Sequence, residues 1–576
     1  MKGSTSSAAN GGQADQGHEQ DRLQAASPSR VARSALLVIV ILGLGKVFSL
    51  SEKWIGLDRF GIGADWDTFT AANQLPAQLF MLISGGALAS AFIPVFGGML
   101  GRGRREEAWK LASNVVNTIF LAALLLSVIV FFAAPWLIAN LIAPGFASPF
   151  ANSALLHHPF SSEMMRELGH PDRVMQTAAL MRILLLSLMI FSVSGLVSGV
   201  LHTHQSFLWP ALSPIMYDVG NLIGVAVLAR FFGIYGAAIG AVIGAGLHLA
   251  IQTPGLIRYR ARWYAYLNWR DGDLREVVRL MIPRAISLSL ANLNLLIAVN
   301  IASQLGTGAT AAFDRGYTLM QLPQTLIGTA MGIVIFPTLA LLSAAGDLRG
   351  KRAAMSGSLR FILIASIPAA AMMVIAGRPL VGILEGGAFD PEGANRVFAV
   401  LQMFALGIIT HSGVEIVARS FYADRQMIIP LIAQTVQVVI NTTLALILVQ
   451  VLWVSGLALA NSIAVGFELT ILMVILRRRW QGIDGVALAT TTVKALIGTA
   501  AMAVVMLIVG PVIDGIALSI DRRILLIVHA GLQIGIGAAV YVGMMLLLRV
   551  EEVRTLPRLI LRRDDARAEL PAPASD

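Results

Sequence analysis

The chain has 576 residues, of which 56% are hydrophobic and only 13% charged, and its net charge at pH 7 is +10. A typical soluble domain has about 25% charged residues. A soluble protein of this size could not bury so much apolar surface, so we expect an integral membrane protein. The chain contains no Cys, which excludes disulfides, thiol catalysis and Cys-ligated metal.

The hydropathy pattern predicts an all-α membrane protein with about fourteen transmembrane helices, because a spanning helix needs about 20 mainly apolar residues. The first 33 residues, rich in Ser, Gly, Gln and Ala, are expected to form a disordered tail. The first span is long and has no small-residue cleavage site after it, so we interpret it as a retained helix. The predicted spans are 34–56, 67–100, 108–143, 174–201, 208–230, 233–256, 280–305, 308–344, 354–384, 396–418, 428–452, 454–476, 490–512 and 524–548.

The distribution of basic residues predicts the orientation of these spans. With the N-terminus placed in the cytoplasm, 29 of the 43 Lys and Arg residues fall on the cytoplasmic side and 8 on the opposite side. Cytoplasmic loops carry such an excess. Both termini are therefore predicted to be cytoplasmic, with a second loose tail at 550–576. The net positive charge is explained by the anionic leaflet, and a nucleic-acid partner is not needed.

An internal repeat predicts the domain organisation. Gln74-Leu75-Pro76 recurs as Gln321-Leu322-Pro323, at an offset of 247, and Asn221 recurs as Asn441, at an offset of 220. Fixed offsets in the same order indicate a duplication. We expect an N-terminal lobe at 34–262 (helices 1–6), a C-terminal lobe at 263–481 (helices 7–12) and two further helices at 482–549. Six helices per copy make the repeat a parallel one, with a pseudo-two-fold axis along the membrane normal.

Two cations stand inside apolar spans. Lys46 lies near the middle of helix 1 and Arg315 early in helix 8. A charge at the membrane centre costs about 2.5–3.5 kcal/mol on insertion scales, so such residues usually face a cavity or a partner. We expect both to line a cavity between the lobes and to bind an anionic substrate. The plain alternatives are snorkelling for Lys46 and a local pair with Asp314 for Arg315.

Other polar residues are weaker candidates for the substrate site. Asp67 opens helix 2 and serves either as its N-cap or in gating. Glu52 and Lys53 follow helix 1 and could be ordinary interfacial charges. Asn292 and Asn300 share a face of helix 7, which lines the cavity or bonds another helix.

Several ionisable residues could serve ion coupling instead. The intramembrane residues His248, Glu468, Asp218 and Glu415 either relay protons, bind a coupling cation or form interhelical hydrogen bonds. The outer loop at 144–173 has metal-capable residue types without a standard zinc spacing. We therefore predict no metal site, no catalytic residue and no cofactor.

Three sets of residues carry a resemblance to a known family: 67–76 with 86–94, 314–317 with 321–323, and 419–423. In that order they are similar to the second helix, the eighth helix and the end of the tenth helix of the MurJ (MviN) lipid II flippases. The resemblance implies the fold of the multidrug/oligosaccharidyl-lipid/polysaccharide exporters. It also implies that the chain flips an undecaprenyl-diphosphate-linked peptidoglycan precursor, with the last two helices forming a groove for the lipid tail.

The resemblance assigns residues by position, with departures. Arg315 and Asp67 match the family's helix 8 arginine and helix 2 aspartate, and Lys46 replaces its helix 1 arginine. The family's Arg-Asp pair after helix 1 reads Glu52-Lys53 here. Its helix 2 arginine aligns with Phe80, and its following glutamate aligns with Gly85. Lysine meets a diphosphate as a point charge, without the fork of arginine.

The sequence therefore predicts a flippase of the bacterial cytoplasmic (inner) membrane that moves lipid II by alternating access. The expected partners are an anionic lipid-linked substrate, membrane lipids and a coupling cation. Three alternatives stay open: an exporter of the same fold for another lipid-linked glycan or amphipathic molecule, a membrane enzyme, and a non-transporting scaffold for wall synthesis. The substrate-binding residues predicted are Lys46, Arg315, Asp67, Lys53, Glu52, Asn292 and Asp314.

Overall fold

The computed structural model describes residues 48–49, 51–83, 87–147, 171–204, 206, 208–424, 426–514, 522–550 and 552–553. Both predicted tails, apart from a few residues of the second, most of the first span and the greater part of the outer loop lie outside the described residues. Within the described part all regular structure is helical, and no β-strand is present.

The helices are labelled in chain order. Short π-helical turns at Ile138–Ile142, Gly224–Leu228 and Thr325–Thr329 continue three of them, and one-turn helices lie at Pro144–Phe146 and Ala229–Phe232. The labelled helices are α1 (51–60), α2 (Ala64–Ile83), α3 (Ala87–Gly101), α4 (Arg105–Leu137), α5 (Pro171–Thr203), α6 (Leu208–Ile223), α7 (Ile234–Ala250), α8 (Thr253–Arg258), α9 (Gly272–Ser303), α10 (Ala309–Gln324), α11 (Ala330–Ala344), α12 (Leu348–Ile375), α13 (Gly377–Gly382), α14 (Pro391–Ala405), α15 (Gly407–Ala423), α16 (Ile428–Leu452), α17 (Val454–Arg479), α18 (Gly485–Asp514) and α19 (Arg522–Leu547).

The described chain contains nine helices that are long and apolar enough to cross a membrane, or ten if the pair α14 and α15, bent by 45°, is one span. The all-α membrane architecture agrees with the sequence prediction, whereas the count of fourteen is not confirmed within the described residues. Within α9 the described apolar stretch is Asn292–Ser303. The predicted span 67–100 includes residues 84–86, which lie outside the described residues, and the predicted span 308–344 is helical through the π-turn between α10 and α11.

Local backbone geometry recurs at the offset of the predicted repeat. Gly233, before α7, has φ 56° and ψ −138°, and Trp453, which lies 220 residues later and precedes α17, has φ 54° and ψ −140°. The amide N–H groups of Ser206 and Gln426, also 220 apart, each donate to the carbonyl five residues earlier. The two halves therefore share unusual turns as well as short sequence motifs.

Residue contacts divide the chain into two compact units. The first includes 88–121 and 189–278, and in it α6 and α7 approach closely through glycines. A Cβ added to Gly220 would lie 2.1 Å from the Cα of Gly244. Small residues allow such backbone contact between membrane helices.

The second unit includes 54–87, 122–188 and the chain from 279 onward. One buried cluster joins α11, α12, α15 and α17 through Leu339, Met355, Phe421 and Leu472. Another joins α12 to α18 and α19 through residues such as Met506. Many other apolar side chains of the spanning helices are exposed, which suits contact with lipid.

A polar network closes one end of this unit just beyond α15. The carboxylate of Asp424 forms a salt bridge with Lys351 and accepts hydrogen bonds from Ser343 (2.6 Å) and from the Trp480 indole (3.3 Å). Burial raises the pKa of Asp424, but the bonds from these three side chains outweigh it and hold the pKa below its ordinary value. The network thus ties the ends of α11, α12, α15 and α17 together through one charged carboxylate.

Candidate functional site

The carboxylate of Asp67 binds the N-terminus of α10. It accepts hydrogen bonds from the amide of Gly308 (2.5 Å), the amide of Ala311 (2.9 Å) and the hydroxyl of Thr310. Asp67 is 1% exposed. We call these four residues the Asp67 latch. An anion at a helix N-terminus satisfies free N–H groups and the helix dipole.

The local sequence explains why α10 needs this partner. Gly308 occupies the N-cap with φ 85° and has no side chain to bond the first turn. A Cβ there would lie 2.5 Å from the carbonyl oxygen of Ile62. Asp67 therefore supplies from α2 the cap that α10 lacks. We expected Asp67 to cap its own helix or to serve in gating; its carboxylate instead bonds the first turn of another helix, and gating stays a prediction.

Arg315 lies one turn further along α10, against the indole ring of Trp66. The guanidinium carbon is 4.4 Å from the ring centroid, and the residue is 4% exposed. Its Nε and Nη2 atoms are buried and form no hydrogen bond with any described residue. Asp314 is half-buried and forms no salt bridge with Arg315, so the expected local pair is not seen. Contact of either residue with substrate stays a prediction.

A polar cavity of about 410 Å3 lies between α9, α10, α15, α16 and α17. Asn292 lines it, and contact of Asn292 with substrate stays a prediction. Asn300, on the same face, instead donates to the carbonyl of Leu141. The cavity's polar lining residues are Asn292, Asn294, Tyr317, Gln321, Gln324, His411, Glu415, Gln434, Gln437, Asn441, Asn461 and Glu468.

A chain of amides crosses this cavity. Asn294 donates to Gln437 (2.7 Å) and accepts from Asn441 (3.0 Å). The Nε2 atom of Gln437 and the Oδ1 atom of Asn441 are buried without a hydrogen-bond partner in the described chain. Buried polar atoms are nearly always bonded, so these two are suited to hold a water molecule or another small polar guest.

The ionisable residues of the cavity are in different states of pairing. Glu415 forms a salt bridge with Arg419 (2.6 Å), and His411 bonds Asn461 (3.0 Å). Glu468 is 8% exposed and has neither a salt bridge nor a hydrogen bond from its side chain to another described residue. Glu468 is therefore the carboxylate of this cavity that is open to a further ligand.

His248, which occupies the repeat position matching Glu468, has a different environment. In the first unit its Nδ1 lies 2.6 Å from the hydroxyl of Ser194 and 3.4 Å from the amide of Gln252. This contact is the interhelical hydrogen bonding that the sequence allowed as the alternative to proton relay or cation binding.

The remaining predicted site residues are placed as follows. Lys46 lies outside the described residues, as does Gly85. Glu52 and Lys53 belong to α1 and are half-buried. The described chain contains no group of three or more His, Asp or Glu residues that could hold a metal. Most of the outer loop at 144–173, with most of its metal-capable residues, lies outside the described residues.

Sequence reasoning missed Trp66 and the role of α16. The helix presents Gln434, Gln437 and Asn441 at intervals of three and four, the spacing of one helix face. That stripe within an apolar span was a detectable signal. Trp66 had no comparable sequence signal, because an aromatic residue next to an acidic residue is common at membrane interfaces.

Comparisons with known proteins give a consistent result. The family model described as lipid II flippase MurJ matches residues 58–518. A relative named probable lipid II flippase MurJ, from Rhizobium meliloti (strain 1021), is 27% identical over 80% of this chain and 83% of its own length. The lipid II flippase MurJ of Burkholderia cenocepacia is 28% identical over 78% of this chain and 84% of its own length.

Solved structures show the same fold. One titled lipid II flippase MurJ, inward closed conformation, has a TM-score of 0.72 and 21% identity, and the match covers 91% of this chain and all of that chain. An inward-facing multidrug resistance transporter of the MATE family within the MOP superfamily has a TM-score of 0.58 and 14% identity, over 77% of this chain and 98% of its own. At these identities the structures support the fold alone.

Proposed function

This chain belongs to the lipid II flippase MurJ family, and from this premise we propose that it carries lipid II across the inner membrane. The observation that carries the proposal is the match of the family model over residues 58–518. The chain is a multi-pass membrane transporter rather than an enzyme.

We infer that transport proceeds by alternating access of two lobes, 34–262 and 263–481. The Asp67 latch supports this, because it joins the start of α2 to the start of α10, which belong to different copies of the predicted repeat. Positive-inside topology with both termini cytoplasmic would place the latch at the outer membrane face. A formed latch then corresponds to a carrier closed on the outside, and substrate release requires the latch to break.

Arg315 is the proposed contact for the substrate diphosphate, together with Lys46. Two guanidinium nitrogens of Arg315 are buried without hydrogen bonds, so the group has donors available once the Trp66 contact opens. Guanidinium groups bind phosphate oxygens as a fork, whereas lysine acts as a point charge. The secondary candidates for contact with the substrate are Glu52, Lys53, Asn292 and Asp314.

The polar cavity is the proposed site for a coupling cation, which is a monovalent metal ion or a proton. The unpaired carboxylate of Glu468 and the free Oδ1 of Asn441 support the proposal, because oxygen ligands suit hard cations. The cavity lies entirely within the second unit.

Complementation of cells depleted of their own lipid II flippase tests the proposed function. We expect the wild-type chain to sustain growth, Arg315→Ala to fail and Arg315→Lys to recover in part. Arg396→Ala is a matched control, since Arg396 also lies over a tryptophan ring, at 5.4 Å from Trp453, but outside the proposed site. Failure of the wild-type chain at normal membrane expression would contradict the proposed substrate, and wild-type growth of Arg315→Ala would contradict the role of Arg315.

Cysteine labelling tests the orientation, because the chain has no Cys of its own. A cysteine at position 160 should react with an impermeant reagent from the outer side. Reaction from the cytoplasmic side alone would reverse the proposed topology and the assignment of the latch.

A further inference from the structure

The first unit has a groove that neither the latch nor the polar cavity uses. Its volume is about 560 Å3, and it lies between α4, the second half of α5 and the segment 259–271, here called the strap. The walls are mostly apolar and include Trp109 and Leu196, while Arg260 and Arg262 belong to the strap side of the lining. This volume is typical of small-molecule sites.

Polar side chains on one face of α4 hold the strap in place. The amide of Tyr264 donates to Ser113 (3.0 Å), and the amide of Asn268 donates to Asn114 (2.9 Å). Asn117, one turn after Ser113, donates to the carbonyl of Tyr264 (3.1 Å). The strap has no helix of its own, yet its backbone is bonded to α4, so the groove has a fixed wall.

The strap presents aromatic rings and positive charge to its surroundings. Trp263 is 68% exposed and Trp269 is 55% exposed. The acids of neighbouring α4 are already bound, Glu106 to Lys110 and Glu107 to Arg104. Aromatic rings with unpaired arginines are typical of a membrane interface with anionic lipids. In the strap and at the end of α8, the exposed arginines without a salt bridge to any described residue are Arg258, Arg260, Arg262 and Arg270.

Arg260 occupies a backbone position that favours glycine. Its φ is 52°, and it follows the end of α8, where its amide bonds Ile257 and the amide of Ala261 bonds Leu256. This is the usual helix ending in which glycine takes the left-handed residue. The same ending holds Gln481 and Arg549 elsewhere in the described chain, and at Arg260 it places the side chain in the groove lining.

We propose that this groove binds an anionic phospholipid of the surrounding membrane. One acyl chain packs against the apolar walls, and the headgroup phosphate lies between Arg260 and Arg262. Charge-assisted bonds from guanidinium to phosphate provide the selectivity for an anionic headgroup. The lipid is a structural or regulatory ligand, and its binding does not depend on which molecule the protein transports.

Quenching of tryptophan fluorescence by phosphatidylglycerol with brominated acyl chains tests the site on the purified full-length protein in detergent. A Trp263→Phe variant identifies the part of the signal that comes from Trp263, the exposed one of the two tryptophans in the groove lining. The test variant combines Arg260→Gly with Arg262→Gln. The matched control combines Arg258→Gln with Arg270→Gln, which removes the same charge without touching the groove lining.

We expect the test variant to bind about tenfold or more weakly, since a charge-assisted bond to the phosphate contributes on the order of tenfold. The control should bind within about threefold of wild type, because Arg258 and Arg270 do not line the groove. Brominated phosphatidylcholine should bind much more weakly than phosphatidylglycerol. The thermal unfolding midpoint of Arg260→Gly should be unchanged or higher, because glycine suits the backbone, so loss of binding cannot be attributed to misfolding.

Three results would overturn the proposal. Equal loss in the test and control variants would show diffuse attraction to the basic surface, without a site. Equal binding of phosphatidylcholine, or quenching that Trp263→Phe leaves unchanged, would show that the groove does not select this lipid. The third result is displacement of the bound phosphatidylglycerol by undecaprenyl diphosphate at concentrations too low for phosphatidylglycerol itself to bind. That result would make the groove a substrate site instead.

Discussion

Asp67→Asn is the sharpest perturbation of the proposed transport cycle. The substitution keeps the size of the side chain and one acceptor oxygen, but it removes the negative charge that faces the first turn of α10. In Asp67 one carboxylate oxygen accepts from the amide of Gly308, and the other accepts from the amide of Ala311 and the hydroxyl of Thr310. The amide nitrogen of asparagine is a donor, so whichever oxygen it replaces, the donors that face that oxygen lose their acceptor. We therefore expect the latch to weaken without a change in volume.

The size of the effect follows from the geometry. A buried charge at a helix N-terminus contributes up to about 2 kcal/mol, and Asp67 is 1% exposed with three donors around it. A loss of about 2 kcal/mol corresponds to a factor of about thirty in an equilibrium constant. A carrier that holds the latch closed most of the time should shift measurably toward the open form, because the substitution acts on one state only.

Distances between spin labels on two introduced cysteines, one near the start of α2 and one near the start of α10, report this equilibrium. We expect Asp67→Asn to add a population at longer distance. Asp65→Asn is the matched control: Asp65 lies in the same first turn but is exposed and bonds only Gln176 through its side chain, at 3.1 Å. An unchanged distance distribution in Asp67→Asn, or the same shift in Asp65→Asn, would refute the latch.

Three further predictions follow from the packing and the charges. Gly244→Ala should lower the thermal unfolding midpoint, because the added Cβ would lie 2.6 Å from the carbonyl oxygen of Tyr217. In the control Gly246→Ala, on the same helix, the added Cβ meets nothing within 4 Å, so this variant should be neutral or stabilising. Equal midpoints for the two variants would contradict close packing of α6 on α7. Asp424→Asn should lower the midpoint at neutral pH. Because the folded-state pKa of Asp424 is lowered, its contribution is complete above about pH 4 and is lost as the pH falls through the folded-state pKa, so the difference between wild type and variant should shrink below pH 4; a difference that is constant with pH would argue against a charge effect. Glu468→Gln should abolish the dependence of transport on a cation gradient while lipid binding persists, and transport that keeps its cation dependence in this variant would exclude the polar cavity as the coupling site.

The class of the protein could be predicted from sequence because it depends on composition and periodicity. Long apolar spans exclude a soluble fold, and helices satisfy their own backbone hydrogen bonds in lipid. The repeat was detectable because Pro and Asn recur at fixed offsets, and Gly233 and Trp453 adopt the same unusual turn. Asn292 was assigned to a polar helix face by spacing alone, and it lines the polar cavity.

Long-range contacts were decided by the tertiary structure. The position of Asp67 at the start of helix 2 predicted either a cap for its own helix or a role in gating, and its observed partner is a turn 241 residues later that lacks a capping side chain. Arg315 was expected to line a cavity, with a local pair with Asp314 as the alternative, and the tertiary structure places its guanidinium against the ring of Trp66. The amide chain between α9 and α16 likewise joins residues about 150 positions apart. Periodicity reveals which face of a helix is polar, but the partner of that face depends on how distant helices pack, and a single sequence does not encode this in any local pattern.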